Sequence, residues 1–418
     1  MYPKGYIFLC KLLENYGRDD IMKAIFTSVN GKVREIRMTK LNSEFTLGGI
    51  HHVTAITSSA QKTYDFFTNL LGLRLAKLTV NQDDYETYHL YFTDEEGNPG
   101  TDITFFDFPG IGAGSHGINS IDRISFRVAQ DVSLEYWRQR FAVAGVPHGL
   151  VAERFGKKYI EFEDFDGQKY QLVSDEKDQG IVAPGKPWQL SNMEAEHAIV
   201  GLGPVFIKLS EVNIFQQLLE EVFGFRRSAS EEVFTLFEVA EGGNGASIII
   251  EQDKESQRAY QGYGTVHHVA FRTANPDTLR YWIERVKSYV IPHSGLVERF
   301  YFSSEYVNVA PGVLFEIATD TPGIAALDLV RSGQAKVDSY EEALVTSGFW
   351  IDETTDEAGL SLSLPPHLFP GAEAEKARTA AALRRLDTSD AFRDRKLEPL
   401  WTMKKIQERR IGRKNESI

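Results

Sequence analysis

The sequence predicts an α+β protein built from four βαβββ modules, flanked by N- and C-terminal extensions. Three observations carry this. Four short apolar strand candidates are each followed by an amphipathic helix. Each helix is followed by β-rich runs punctuated by turns, and the units recur every ~65–80 residues. The stretch 154–175, RFGKKYIEFEDFDGQKYQLVSD, also aligns without gaps on 299–320, RFYFSSEYVNVAPGVLFEIATD, as expected for a duplicated module.

The first module opens with IHHVTAIT and continues into TYDFFTNLLGL. The second pairs IDRISFRV (121–128) with LEYWRQRFAVAGV, the third GPVFIKL (203–209) with VNIFQQLLEEVFGF, and the fourth VHHVAFRT (266–273) with DTLRYWIERVKSYV. Apolar residues recur at three- and four-residue spacing in these helices. The first three stop at Gly72, Gly145 and Gly224, because a glycine readily takes the left-handed conformation that ends a helix. The fourth has the same stripe without a terminal glycine. Strand runs follow, such as YHLYFTD…TDITFFDF in module one and EYVNVAP…VLFEIATD in module four. The boundaries read as an extension at 1–46, modules one and two at 47–180, a Pro- and Gly-rich linker at 181–198, modules three and four at 199–321, a further segment at 322–370, and a tail at 371–418.

Composition narrows the function. The 418-residue chain carries a formal charge of −13, which disfavours nucleic acid or an anionic membrane as partner, since both demand a basic face. The tail from Lys376 is the exception, with 13 Lys/Arg against 6 Asp/Glu, and it reads as a solvated helical or disordered segment. The single cysteine, Cys10, rules out an internal disulfide and a cysteine-based zinc site. No apolar run approaches the ~20 residues of a membrane span. A cytoplasmic location is expected, with an organelle-targeting role for residues 1–45 left open.

Four of the ten histidines sit in two doublets, His51-His52 and His267-His268, on matched strands of modules one and four. Side chains alternate faces along a strand, so each doublet is expected to offer one imidazole to a site and the other to the opposite face. Glu316, between Phe315 and Ile317 on an apolar strand, is costly to bury unless paired or metal-bound. Its counterpart in module two is Gln171. Two histidines and one carboxylate form the ligand set of non-haem Fe(II) oxygenases, which leave positions open for substrate and O₂. The competing reading is a pair of hydrogen-bonded core histidines. Spacing alone does not separate iron from manganese or zinc.

These stretches resemble the vicinal oxygen chelate superfamily of glyoxalases, bleomycin-resistance proteins and extradiol dioxygenases, most nearly its hydroquinone-type ring-cleaving dioxygenases. The matching segments are GIHHVTAI, YHLYFTDEEGNPGTDITFF, WQLSNMEAEHAIVGL, VHHVAF, RFYFSSEYVNVAPGVLFE and GFWIDE…LSLPP, spanning roughly residues 47–366. The resemblance implies two curled mixed sheets, or cups, with modules one and four building the active one. It implies His52, His268 and Glu316 as metal ligands, with Fe(II) as cofactor and Mn(II) as the alternative. It places His51, His267, Thr54 and Arg299 beside the metal and Tyr306 in the pocket. Arg299 also has a structural reading, as a strand-start residue paired with a carboxylate, because module two carries Arg154 at the matching position. Tyr306 has one as ordinary packing. Of the aromatics near these strands (Tyr88, Tyr91, Phe92, Phe105, Phe106, Phe300, Tyr301 and Phe302), some are expected to wall the pocket and most to be core.

The implied activity is an extradiol-type, hydroquinone-like ring-cleaving dioxygenase, with a small aromatic substrate and O₂ as partners and a homo-oligomeric assembly. The alternatives are a glyoxalase-like isomerase or lyase, which commonly uses more carboxylate ligands, and a protein that binds aromatic compounds without turnover. Residues 324–347 form an insertion with no counterpart in the family, expected at the pocket mouth or an oligomer contact.

Overall fold

A computed structural model describes residues 41–365 apart from 43 and 361. The readings of the N-terminal extension before residue 41 and of the basic tail lie outside the described residues. Module one comprises β1 (Ile50–Ile56), α1 (Ala60–Tyr64, continued by a π-helical turn over Asp65–Leu70), β2 (Arg74–Asn81), β3 (Asp84–Thr93) and β4 (Asp102–Asp107). Module two comprises β5 (Ser120–Val128), α2 (Asp131–Ala144), β6 (Ala152–Arg154), β7 (Lys157–Glu163) and β8 (Lys169–Ser174). After β9 (Ile199–Leu202), module three runs through β10 (Val205–Leu209), α3 (Asn213–Glu221), β11 (Arg226–Glu231), β12 (Phe234–Glu238) and β13 (Ser247–Gln252). Module four runs through β14 (Thr265–Thr273), α4 (Pro276–Ser288), β15 (Val297–Glu298), β16 (Ser303–Ala310) and β17 (Val313–Thr319).

Local chemistry sets the helix ends. Gly145 caps α2 at φ 72°, where a side chain would be strained. Asn275 starts α4: its carboxamide oxygen accepts from the amides of Asp277 and Thr278, and Pro276 follows at the first helical position. No glycine ends α4, and Val290 takes the left-handed conformation at φ 57°.

The strands form two mixed sheets. One has the order β15-β16-β17-β14-β1-β4-β3-β2, joining modules one and four. The other has the order β11-β12-β13-β10-β5-β8-β7-β6, joining modules two and three, with β9 added alongside β5. The first and last modules meet where β1 runs antiparallel to β14. Helices tie together modules that are neighbours in sequence: Phe67 at the end of the first helix packs on Phe126 and Tyr170 of module two, and Phe215 of α3 packs on Phe315 of module four. One apolar core runs through both sheets and the helices. The Pro- and Gly-rich linker is strapped down by buried Arg127, whose guanidinium donates to the carbonyls of Val182 and Ala183. Chain order and sheet order therefore pair the modules differently.

The insertion forms α5 (Ile324–Arg331) and α6 (Tyr340–Ala343). Ala326, Leu327 and Ala343 join a second apolar cluster with Phe300, Tyr301, Tyr91, Phe349 and Trp350. The segment that follows is anchored by Lys77, wholly buried, which donates to Asp352 Oδ1 at 2.9 Å and to Glu353 Oε2 at 2.5 Å. Replacing Lys77 with Met would leave two largely buried carboxylates without this counter-charge. A loss of about 2–4 kcal/mol of stability is expected, read from urea unfolding, with earlier proteolysis around residues 348–358.

Candidate metal centre

The two histidine doublets sit on two β-bulges. The β1–β14 register steps from Ile50↔Phe271 to His52↔Ala270, so His51 is an extra residue; it steps from Thr54↔His268 to Ala55↔Val266, so His267 is another. The sequence carries the reason. Ile50 and Val53, like Val266 and Val269, all face the core. Apolar residues three apart can share one face of a strand only if a residue is added between them. The expectation that doublet neighbours point to opposite faces therefore fails. His51 Nδ1 lies 3.0 Å from His52 Nδ1, and His267 Nδ1 lies 2.9 Å from His268 Nδ1.

This contact orients the second imidazole of each pair. His51 Nε2 is 3.2 Å from the Thr319 carbonyl, which can only accept, so that nitrogen carries the proton. His51 Nδ1 is then an acceptor, His52 donates from its own Nδ1, and the lone pair of His52 Nε2 is free.

His52, His268 and Glu316 converge. The two Nε2 atoms are 3.2 Å apart, and Glu316 Oε2 lies 3.2 Å from the first and 2.9 Å from the second. All three residues are buried. The carboxylate contacts are short, yet neither Glu316 oxygen has a hydrogen bond of good geometry. Three donor atoms thus face a shared centre rather than one another. Ligands about 2.1 Å from one ion and at right angles to each other stand roughly 3.0 Å apart. The observed spacings fit one face of an octahedron, and the donor set can hold a metal ion. Burial opposes ionisation of Glu316, but the attraction of His52 and contacts with both imidazoles outweigh it and hold its carboxyl well below the usual range.

The triad lies at one side of a cavity of about 350 Å³. Phe106, Tyr91 and Phe302 line it, whereas Tyr88, Phe92 and Phe105 belong to the core, and Phe300 and Tyr301 to the second cluster. His267 and Tyr306 face the cavity too. Burial lowers the pKa of His267 to about 3, so this imidazole is neutral. Arg299 donates from Nε to Tyr306 Oη at 3.2 Å and pairs with Asp83 at 2.7 Å across the cavity mouth. The carboxylate partner expected on structural grounds is therefore present, together with cavity exposure. Thr54 Oγ1 lies 3.0 Å from His268 Nε2. The insertion contributes nothing to this cavity's lining.

The sequence pattern did not single out His89, which lines the cavity, or Thr104, which is buried beside Thr54. The alternation in YHLYF puts His89 and Tyr91 on the face opposite Tyr88, Leu90 and Phe92, which pack in the core. That period was the available signal. Thr104 is also informative by position. Thr54 pairs with Thr104 as Ala270 pairs with Glu316, so Thr104 stands where a second carboxylate would complete a four-ligand site.

In the other cup, Gln171 occupies Glu316's place and Arg123 occupies His268's, with Arg123 paired to Glu161 at 2.5 Å. Phe206, Leu236 and Ile249 fill the interior.

The chain belongs to the Glyoxalase/Bleomycin resistance protein/Dioxygenase superfamily, whose family model matches residues 49–172. It is 36% identical over 327 residues to MhqA of Bacillus subtilis (strain 168), named as a candidate ring-cleaving dioxygenase, covering 77% of this chain and 95% of that one. It is 29% identical over 339 residues to the chlorohydroquinone/hydroquinone 1,2-dioxygenase of Sphingobium indicum, covering 79% and 95%. A crystal structure of a candidate dioxygenase from Bacillus subtilis subsp. subtilis str. 168 superposes with a TM-score of 0.68 at 31% identity, covering 82% of this chain and 98% of that one. Among the described residues, no helix is long and apolar enough to cross a membrane.

Asp102, paired in register with His52, is buried with neither carboxylate oxygen hydrogen-bonded. Burial pushes its pKa from 3.8 up to about 7. The folded state thus favours the protonated acid, and stability falls as pH rises from about 4 through 7. In metal-free protein, Asp102→Asn is expected to be more stable than the parent at pH 8, by up to about 4 kcal/mol, and little different near pH 4. Paired denaturant titrations at the two pH values check this.

Proposed function

We propose that this protein is an Fe(II)-dependent ring-cleaving dioxygenase that inserts both atoms of O₂ into a hydroquinone- or catechol-type ring, with His52, His268 and Glu316 as ligands and Mn(II) as the alternative metal. The observation that carries this reading is the convergence of three donor atoms, with no second carboxylate among the described residues of the cluster, beside an aromatic-walled cavity. The names of the relatives point to the same chemistry.

Bound there, the ion would supply a site where a ring oxygen and O₂ meet, with an electronic path between them. The chain's own residues do the rest. With His52 and His268 each offering Nε2, each carries its proton on Nδ1 and donates to its neighbour in the doublet. His267 then bears its proton on Nε2 and presents a neutral N–H donor to the cavity. Arg299 supplies a fixed positive charge for negative charge developing on oxygen, held in place by Asp83. Tyr306 stays protonated because burial raises its pKa, so it can donate to the second ring oxygen. Phe106, Tyr91 and Phe302 form flat apolar walls suited to one aromatic ring. Ring opening of the extradiol type is part of this proposal.

Protein purified and loaded with Fe(II) without oxygen is expected to retain about one ion per chain. On exposure to air it is expected to consume one O₂ per hydroquinone, chlorohydroquinone, methylhydroquinone or catechol, with a new ring-fission absorbance. His52→Ala, His268→Ala and Glu316→Gln should each lose iron and lower turnover by at least about 100-fold, since losses around a metal site cost about 10–100-fold even without touching a ligand. Gln171→Ala, in the other cup, should keep its iron. Tight binding of these aromatics without oxygen uptake would overturn the proposal.

A further inference from the structure

A run of hydrogen bonds leads away from the triad along the wall opposite Arg299. Thr54 Oγ1 is 2.7 Å from Thr104 Oγ1, Thr104 Oγ1 is 2.8 Å from His89 Nε2, and His89 Nδ1 is 2.9 Å from Tyr91 Oη. All four side chains but His89 are buried to 3% exposure or less. The imidazole is neutral, because burial lowers its pKa well below the usual value.

The second cup acts as an internal control. Sheet register places Phe206 where the first cup has Thr54, Ile249 where it has Thr104, Leu236 where it has Tyr91, and Phe234 where it has His89. The cup without the ligand triad packs these four positions with apolar side chains. The fold therefore does not require a polar chain here; it accompanies the triad.

The chain can run in two directions, and each leaves one proton over at a different end. A chain running from the triad outward would have His89 donate from Nδ1 to the tyrosine oxygen. The Tyr91 hydroxyl proton would then be the one without a side-chain or backbone acceptor among the described residues, at the end of the chain away from the triad. Running inward, Tyr91 donates to His89 Nδ1, His89 Nε2 donates to Thr104, and Thr104 donates to Thr54. The proton left over is then that of Thr54, beside the triad, where an anionic ligand can accept it. Its remaining neighbour is His268 Nε2, which can neither donate nor accept once it is a ligand.

We propose that Tyr91, His89 and Thr104 are positioning residues that hold the Thr54 hydroxyl as a donor aimed at the triad, where it binds an anionic ligand such as a ring oxygen. This rests on the metal reading above and concerns residues that do not themselves hold the ion. The test uses Co(II)-loaded protein and azide as the probe, with binding followed by visible absorption and metal content measured separately. Thr54→Val and His89→Leu are each expected to weaken azide binding about tenfold with Co(II) content unchanged, in line with the loss of a hydrogen bond to a charged group. His89→Gln, whose amide can accept from Tyr91 and donate to Thr104, is expected to stay within about threefold of the parent. The double variant Thr54→Val/His89→Leu is expected to bind no more weakly than Thr54→Val alone. Parental azide affinity in His89→Leu, or multiplied effects in the double variant, would overturn the proposal. If His89→Leu does not fold, ¹⁵N NMR of the Zn(II)-loaded parent decides: the Nε2–H tautomer of His89 is expected, and the Nδ1–H tautomer refutes the chain. A parent that takes up no Co(II) refutes the metal reading itself, and the chain with it, and is recognised by metal content before any azide is added.

Discussion

The site hangs on one strand seam. β1 and β14 pair antiparallel although more than 200 residues separate them, and each contributes one imidazole. β17 lies parallel to β14 and adds the carboxylate. Closing so long a loop costs conformational entropy, which increases only slowly with loop length. The shared core beneath both sheets meets that cost, because Val53, Val269, Phe271 and Phe315 are buried within it. A rigid, doubly supported seam can hold three donor atoms about 3 Å apart without a loop.

The two bulges convert that seam into a centre. In an unbulged strand, one imidazole of each doublet would point into the core. With one extra residue on each strand, both imidazoles stay on the cavity side and the first locks the ring of the second. The bulges sit on opposite strands of the pair, related by the pseudo-symmetry of the duplicated modules. Symmetry breaks where the chemistry differs: Glu316 against Thr104, and Tyr306 held by Arg299 against Tyr91 held by His89. The cavity wall is thus cationic on one side and neutral on the other.

The second cup shows the same duplicated frame without the triad. Arg123 takes the place of His268 and pairs with Glu161, and aromatic and aliphatic side chains fill the space. Burying apolar surface there adds to stability, whereas the first cup keeps buried polar groups at a cost. That contrast makes the polar groups of the first cup more informative than their burial alone would be.

The four modules, their helices, the two histidine doublets and Glu316 were legible from the sequence because each rests on a local or repeated pattern, whereas the choice of His52 and His268 within the doublets came from the family resemblance alone. Apolar periods mark the elements, glycines mark helix ends, and the ungapped match of 154–175 to 299–320 isolates Glu316 against Gln171. The IHHV and VHHV spacing also encoded the bulges, but strict alternation hid them. Which modules share a sheet could not be read from chain order: the linker groups one with two, whereas the sheets join one with four. Nor could the hydrogen-bond chain through His89, or the placement of the insertion beside Tyr91 and Tyr301 rather than at the cavity mouth. Periodicity acts over a few residues and is written in the chain. Contacts between distant strands depend on how whole faces pack, and only the folded protein decides them.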